Sequence, residues 1–411
     1  MDRGPKAPGD ISLFLAGDSI ITRPWSHVRD CSFLGLIEAV RSADVSLTNL
    51  ETVIHEFNGY AQAHCGGMYT TSPPQIAAEL KWAGFDMVAH ANNHSFDYGS
   101  TGVLETIDHV ESAGLVLAGS GRDLQNARAP RYVNRNGRVV ALVAMASDFI
   151  PYGKASRTRP DVAGRPGLNT LAVSGRKPAI MVTERMRKYL QPLAWIGLRL
   201  RSGRRFGVKS GFQLDAADLD GNLTAISEAA SKADIVVASV HVHRQGPWLR
   251  KFAHQAIERG ASLVFIHGPH EIRGIEQFNG RPIFYSLGDF VLETEYISRF
   301  PAEAYERSGL PPDAMLDDST RAKLASPVLR QRAAFQAFAA LIRFAGTRVA
   351  RIELIPVDLQ FDDIGEGRGR PRLASPDLGR ELVGRVAATS KRFGTRVTYD
   401  ADSNRGEVAI G

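Results

Sequence analysis

Short apolar runs rich in β-branched residues recur along the chain, at residues 11–16 (ISLFLA), 44–48 (DVSLT), 85–91 (FDMVAHA), 139–145 (VVALVAM), 235–240 (IVVASV), 262–266 (SLVFI) and 282–287 (PIFYSL). Runs of this length that lack strict apolar–polar alternation read as strands buried on both faces. Between them, helical periodicity predicts helices over 34–41, 74–82, 102–113, 222–230 and 248–259, the third preceded by Ser100 and Thr101 as a candidate N-cap. Strands alternating with helices predict an α/β layered core. Residues 348–359 alternate like a half-exposed strand, 377–391 read as a helix, and 396–399 with 407–410 as closing strands.

Two stretches break the pattern. Residues 150–221 turn to Gly, Pro and Arg and read as an insertion, with an amphipathic helix over 183–200 that sets Met186, Leu190, Leu193 and Ile196 on one face. Two readings of it stay open: a solvated basic lid, or a docking surface on which Arg forks pair the carboxylates of an acidic substrate. Residues 297–338, interrupted by Pro301, Pro311 and Pro312, read as a second, helical insertion. The core then spans 11–360, and 361–411 complete it.

Polar clusters follow the apolar runs: Gly17-Asp18, Asn49-Leu50-Glu51, Asn92-Asn93-His94, and the histidines His241, His267 and His270. In open α/β sheets ligands bind beyond the carboxyl ends of the strands, where loops converge on a rigid frame. Chain-distant carboxylates, carboxamides and imidazoles are therefore expected to meet there as a metal site. With no thiolate among them, Zn, Mn, Mg and Ca all remain open as the divalent cation.

Composition narrows the class. A chain of 411 residues, 44% of them hydrophobic, can bury a large core, and a formal charge of +6 over that length does not call for a nucleic-acid partner. Cys31 and Cys65 are too few for a disulfide framework or a thiolate metal site. The polar start (MDRGPKAPGD) and the lack of a long apolar stretch lead to the expectation of a cytoplasmic protein with no membrane partner.

The motifs GDSI at 17–20, ADVSLTNLET at 43–52, GFDMVAHANNHSFDYG at 84–99, ADIVVASVH at 233–241, HGPHEIRGIE at 267–276 and RPIFYSLGDF at 281–290 resemble the CapA family of poly-γ-glutamate capsule synthesis. That family is similar in fold to the calcineurin-like metallophosphoesterases. The resemblance implies a four-layer α/β/β/α sandwich with metal-binding loops at one edge. It implies Asp18, Glu51, Asn93, His241 and His270 as metal ligands, and His94 as a member of the Asn-His pair.

The chain departs from the pattern at several points. Ile20 stands where the phosphoesterase relatives have a His, and Glu51 where they have an Asp. His241-Val242-His243 replaces His-Trp-Gly, and Gly268-Pro269-His270 replaces His-Pro-His, with His267 one step earlier. Losing a first-motif His weakens one position of a binuclear site, so a single ion is expected.

Among acid/base candidates His94 ranks first, since Asp97 can hold its tautomer, although Asp97 could instead cap the following helix. His267 and His270 compete for ligand and acid/base roles, His267 being placed among the catalytic residues and His270 among the ligands, and Asp289 is a candidate orienting partner for either. Asn92 is expected to fix its loop. His64, Arg273 and Trp248 are candidate substrate contacts, with Trp248 equally placed to pack its helix. His55, His90, His109, His243 and His254 read as ordinary surface or core histidines.

Three functional classes remain: metal-assisted acid/base chemistry on a peptide substrate, either Cα epimerisation or amide hydrolysis; phosphoester hydrolysis; and a non-catalytic role in capsule assembly. The resemblance extends to peptide epimerases of ribosomal-peptide pathways, lasso types included, and an anchorless chain suits that reading. Epimerisation is therefore the favoured expectation.

Overall fold

The computed structural model describes residues 10–175, 179–182, 199–202, 207–209 and 212–410. Two sheets stack face to face. The larger, of ten strands, runs Val397–Asp400, Arg405–Val408, Arg348–Asp358, Gln336–Ala345, Asp10–Ile20, Val45–Leu50, Met87–Ala89 and Val116–Ala118, with Asp289–Leu292 and Arg372–Leu373 pairing off that path. The smaller, of six, runs Ile275–Phe278, Arg281–Phe284, Leu263–His267, Ile235–His241, Arg138–Ala146 and Arg131–Arg135.

Strand period two builds the layers. In the first strand Leu13 and Leu15 face the second sheet, where they join Leu47, Leu142, Val237 and Phe265, while Phe14 and Ala16 face the helices Cys31–Ser42, Gln75–Ala83 and Gly99–Ser112. On the other side Val236, Ala238 and Val240 pack on Ala216–Lys232 and Pro247–Glu258. Side chains alternating between two buried faces explain why these strands read as unbroken apolar runs. The result is a four-layer α/β/β/α sandwich, and the helix Pro376–Ser390 sends Leu382, Val383 and Val386 into the layer between the sheets.

The centres of both sheets are parallel. Their carboxyl ends share one rim, which is what places the site.

Several expectations shift. Strand Gln336–Ala345 begins inside the stretch read as a helical insertion; it lies antiparallel to the first strand and to Arg348–Asp358. Its run of alanines hid the alternation, with Phe338, Ala340, Ile342 and Phe344 on the inter-sheet side and Ala337, Ala339 and Leu341 on the other. Arg348–Asp358 is half-exposed only at its start; its second half is buried by strands on both sides.

Ser100 and Thr101 sit within the helix Gly99–Ser112 rather than capping it. Asp97 does not cap it either, because its carboxylate is taken by the N–H groups of Gly66 and Thr70 and by His94. In the stretch 150–221, Asn169 and Thr170 are core residues: the Asn169 amide donates to the Ala144 carbonyl and the Asn222 side chain. The helix expected over 183–200 lies outside the described residues except for Arg199 and Leu200, which belong to strand Arg199–Ser202.

Candidate metal centre

Asp18 sits near the end of the first strand, where the register with Val45–Leu50 shifts after Ala16. Gly17 lets the chain pass Gly288, and Asp18 thereby comes to pair with Asp289 across the parallel strand Asp289–Leu292. Asn49 follows on the second strand and Glu51 just past its end, Asn92 to His94 on the loop after Met87–Ala89, and His241 and His267 close parallel strands of the other sheet at matched register.

The two sheets meet through Asp18. Its Oδ1 accepts from Asn49 Nδ2 at 2.7 Å and lies 3.2 Å from His267 Nδ1, and its Oδ2 accepts the Gly268 N–H at 2.8 Å. His267 also contacts Ser239 Oγ through Nε2 at 2.8 Å and His241 Nδ1 at 3.0 Å. Burial opposes ionisation of Asp18, but the hydrogen bond from His267 and the neighbouring imidazoles outweigh it and hold the carboxyl well below the usual range.

Glu51 is the opposite case. It is fully buried, neither of its carboxylate oxygens has a hydrogen-bond partner, and burial with the charge of Asp18 pushes its carboxyl well above the ordinary value. Its Oε1 lies 3.6 Å from His241 Nε2, which is also unpartnered. Burial drives His241 well below the usual imidazole range, leaving it neutral and its lone pair available.

Asn93 donates to the Gly66 carbonyl and leaves its own Oδ1 unsatisfied, as does Asp289 with Oδ2. Buried polar atoms are nearly always satisfied, so a cluster of unpartnered oxygens and an imidazole nitrogen fits a cation. Among the described residues, three groups of side chains are close enough to hold one: Asp18, His241 and His267; Glu51, His241 and His243; Asp18, His270 and Asp289.

Two imidazole–carboxylate pairs flank this centre. His94 Nδ1 is 2.8 Å from Asp97 Oδ2, and His270 Nδ1 is 2.8 Å from Asp289 Oδ1. Burial pushes His270 down, but the Asp289 carboxylate outweighs it and raises the imidazole to about 10; burial also lifts Asp289, to about 6. The His94 and His270 side chains are 7% and 14% exposed, against 0–1% for Asp18, Glu51, His241 and His267, so of these six they are the two that can meet a substrate. A chain of bonds links the two sides: the Asn92 carboxamide oxygen accepts the His94 N–H, its amide donates to Asn49, and Asn49 donates to Asp18. Asn92 thus fixes the loop.

Asp289 holds His270, not His267. Both nitrogens of His267 are engaged by Asp18, His241 and Ser239, so of the two histidines open as partners of Asp289 it is His270 that forms the second imidazole–carboxylate pair. Trp248 lies on the helix Pro247–Glu258 and packs against the outer apolar layer. Arg273 pairs with Glu271, and His64 is exposed in the loop beside Asn93.

Sequence reasoning missed His243, which joins Glu51 and His241, and Asp148, which binds it. The signal was the His-x-His spacing at 241–243, which sets a second imidazole two residues beyond the end of strand Ile235–His241. His90 is a core histidine held by Ser120 and the Thr52 carbonyl. No helix among the described residues is long and apolar enough to cross a membrane.

Among known proteins, the chain is 29% identical to the uncharacterized protein y4sH of Sinorhizobium fredii over 95% of this chain and 91% of that one. It is 27% identical to a probable polyglutamine synthesis accessory protein of Mycobacterium tuberculosis (67% of this chain, 60% of that) and 25% identical to the PGA biosynthesis protein CapA of Bacillus subtilis (62% and 54%). Of solved structures, a hypothetical protein of Thermus thermophilus aligns with TM-score 0.44 and 14% identity over 85% of this chain and 99% of that one. A phosphatase of Mycoplasma pneumoniae aligns with TM-score 0.41 and 12% identity over 86% and 97%. The family model of the bacterial capsule synthesis protein PGA_cap matches residues 12–294, more than half the chain, and the protein belongs to that family.

Proposed function

We propose that the protein is a metal-dependent acid/base enzyme acting on a peptide, with L-to-D epimerisation at Cα in a ribosomal, lasso-type precursor peptide as its favoured reaction in the cytoplasm. The observation that carries it is the placement of two carboxylate-held, slightly exposed histidines around a buried, unpartnered Glu51 whose ionisation feels Asp18, His270, Asp289 and Asp97 together. Inversion needs a proton acceptor on one face of Cα and a donor on the other.

In this reading Asp97 keeps Nδ1 of His94 protonated, so that Nε2 accepts the Cα proton. His270, held by Asp289, returns a proton from its own Nε2 to the opposite face. The substrate gains and loses one hydrogen, and the pairs exchange roles for the reverse direction. A divalent cation bound among the Glu51 and His241 side chains would supply Lewis-acid stabilisation of the enolate charge. Arg273 and His64 lie on loops at the rim and are proposed to contact the peptide.

A second reading, hydrolysis of a γ-glutamyl amide, draws on two relatives, one named for polyglutamine synthesis and the other for PGA biosynthesis. Incubation with a candidate precursor peptide in deuterated water separates them. Deuterium incorporation without cleavage is the expected result; cleavage of poly-γ-glutamate oligomers without incorporation would replace it with the hydrolase reading. Inertness toward both substrates with a divalent cation supplied would overturn the acid/base enzyme itself.

A further inference from the structure

The partnered and unpartnered atoms of the centre separate cleanly. Asp18 has partners on both oxygens: Asn49 and His267 at Oδ1 and the Gly268 N–H at Oδ2. Glu51 has two bare oxygens in a fully buried position, and His241 Nε2 beside it is bare as well. A cation placed against Asp18 would share oxygens that are already hydrogen-bonded; one placed against Glu51 would satisfy atoms that have no other partner.

His243 supplies the third side. One of its nitrogens lies within 4.8 Å of ligand atoms of Glu51 and His241, and its ring stands edge-on to His241 with centroids 5.0 Å apart and planes at 82°. Asp148 Oδ2 accepts the His243 backbone N–H at 2.6 Å and lies 3.5 Å from its Nδ1. A carboxylate on Nδ1 is the arrangement that fixes the tautomer of a ligating histidine and leaves Nε2 for the metal.

We propose that Glu51, His241 and His243 are the cation's ligands, with Asp148 orienting His243 and Asp18 acting as a positioning residue that holds the imidazoles. This rests on the metal-dependent reading above and narrows it. Two imidazoles and one carboxylate favour a transition-metal cation such as Mn²⁺ or Zn²⁺ over Ca²⁺, which takes six to eight oxygen ligands.

The test is calorimetric titration of the chelator-treated full chain with Mn²⁺ and Ca²⁺, together with electron paramagnetic resonance of the Cu²⁺-loaded protein. The expected results are Mn²⁺ binding at least tenfold tighter than Ca²⁺, a loss of roughly a hundredfold in Mn²⁺ affinity in His243→Ala, and a loss of about tenfold in Asp148→Asn. The Cu²⁺ spectrum should show coupling to two imidazole nitrogens in the parent and one in His243→Ala. Should His243→Ala fail to fold, His243→Gln and Asp148→Asn carry the same comparison. An unchanged Mn²⁺ affinity and Cu²⁺ spectrum in the His243 variants, or Ca²⁺ binding tighter than Mn²⁺, would overturn this ligand assignment alone. A parent protein that binds no divalent cation would overturn the metal-dependent reading with it.

Discussion

A Cβ built on Gly17 would lie 1.8 Å from the carbonyl oxygen of Gly288. That contact is backbone against backbone, so no rotamer change relieves it, and it occurs where the first strand pairs with Asp289–Leu292 to bring Asp18 opposite Asp289. Gly17→Ala should therefore push the two strands apart and lower unfolding stability by about 3 kcal/mol. Gly384, on the helix Pro376–Ser390, has nothing within 4 Å of such a Cβ. Gly384→Ala should be neutral or stabilising by about 0.5–1 kcal/mol. Denaturant unfolding of both variants makes the comparison; equal stabilities would contradict it.

The layered core and the rim were legible because both follow from local rules. Apolar runs such as 11–16 and 235–240 can be buried on both faces only between a helix layer and another sheet, and polar residues just past parallel strands have one place to converge. Pairings across the two sheets were not legible. Nothing near position 289 says that its carboxylate reaches His270 rather than His267, because that choice is made by the turn at Gly268, φ 111°, and His270, φ 54°, which swings residue 270 away from the strand axis. Strand Gln336–Ala345 was hidden for a different reason. Its alanines favour helix, and only pairing on both sides holds them extended.

His94 and Asp97 give a test of the acid/base assignment. Removing the ring in His94→Ala should abolish deuterium incorporation into the peptide while leaving far- and near-ultraviolet circular dichroism unchanged, because the ring bonds only to Asp97 among the described contacts of its side chain. Asp97→Asn is a wider lesion. The carboxylate also takes the Gly66 and Thr70 N–H groups, so the carboxamide loses one loop bond along with control of the His94 tautomer. A rate loss of at least 100-fold is expected with about 2 kcal/mol of destabilisation. Near-normal turnover in His94→Ala would remove His94 from the mechanism.

Glu51 ties cation binding to pH. Its folded-state carboxyl is raised above the ordinary 4.5 by burial first and by Asp18 second, so the cation-free protein binds a proton that the unfolded chain gives up. The associated stability is present below about pH 4.5 and is lost as pH rises through the folded-state value. Chelator-treated protein should therefore lose stability as pH is raised over this window, relative to Glu51→Gln, which has nothing to ionise. Saturating Mn²⁺ at 100 times its Kd should restore about 2.7 kcal/mol to the parent and nothing to Glu51→Gln. Titration in buffers of different ionisation enthalpy should show a proton released on binding; equal Mn²⁺ stabilisation of both proteins would contradict the role of this carboxylate.

His90 sets the acid limit on the same fold. It is fully buried at the end of the strand Met87–Ala89, with Nδ1 2.8 Å from Ser120 Oγ and Nε2 3.3 Å from the Thr52 carbonyl, partners that suit the neutral ring. Burial lowers it from 6.5 to about 4, so between those values the unfolded chain takes up a proton that the folded chain refuses. Stability from this group is complete above about pH 6.5 and falls as pH drops toward 4, by roughly 3 kcal/mol over the window. His55, also lowered by burial to about 4 and packed between Phe57 and Tyr98, adds to the same slope. Urea midpoints measured from pH 7 to pH 4 should fall for the parent, and less steeply for His90→Gln, which keeps a side chain of hydrogen-bonding capacity but cannot be protonated. Parallel slopes for the two proteins would show that His90 does not carry the acid sensitivity.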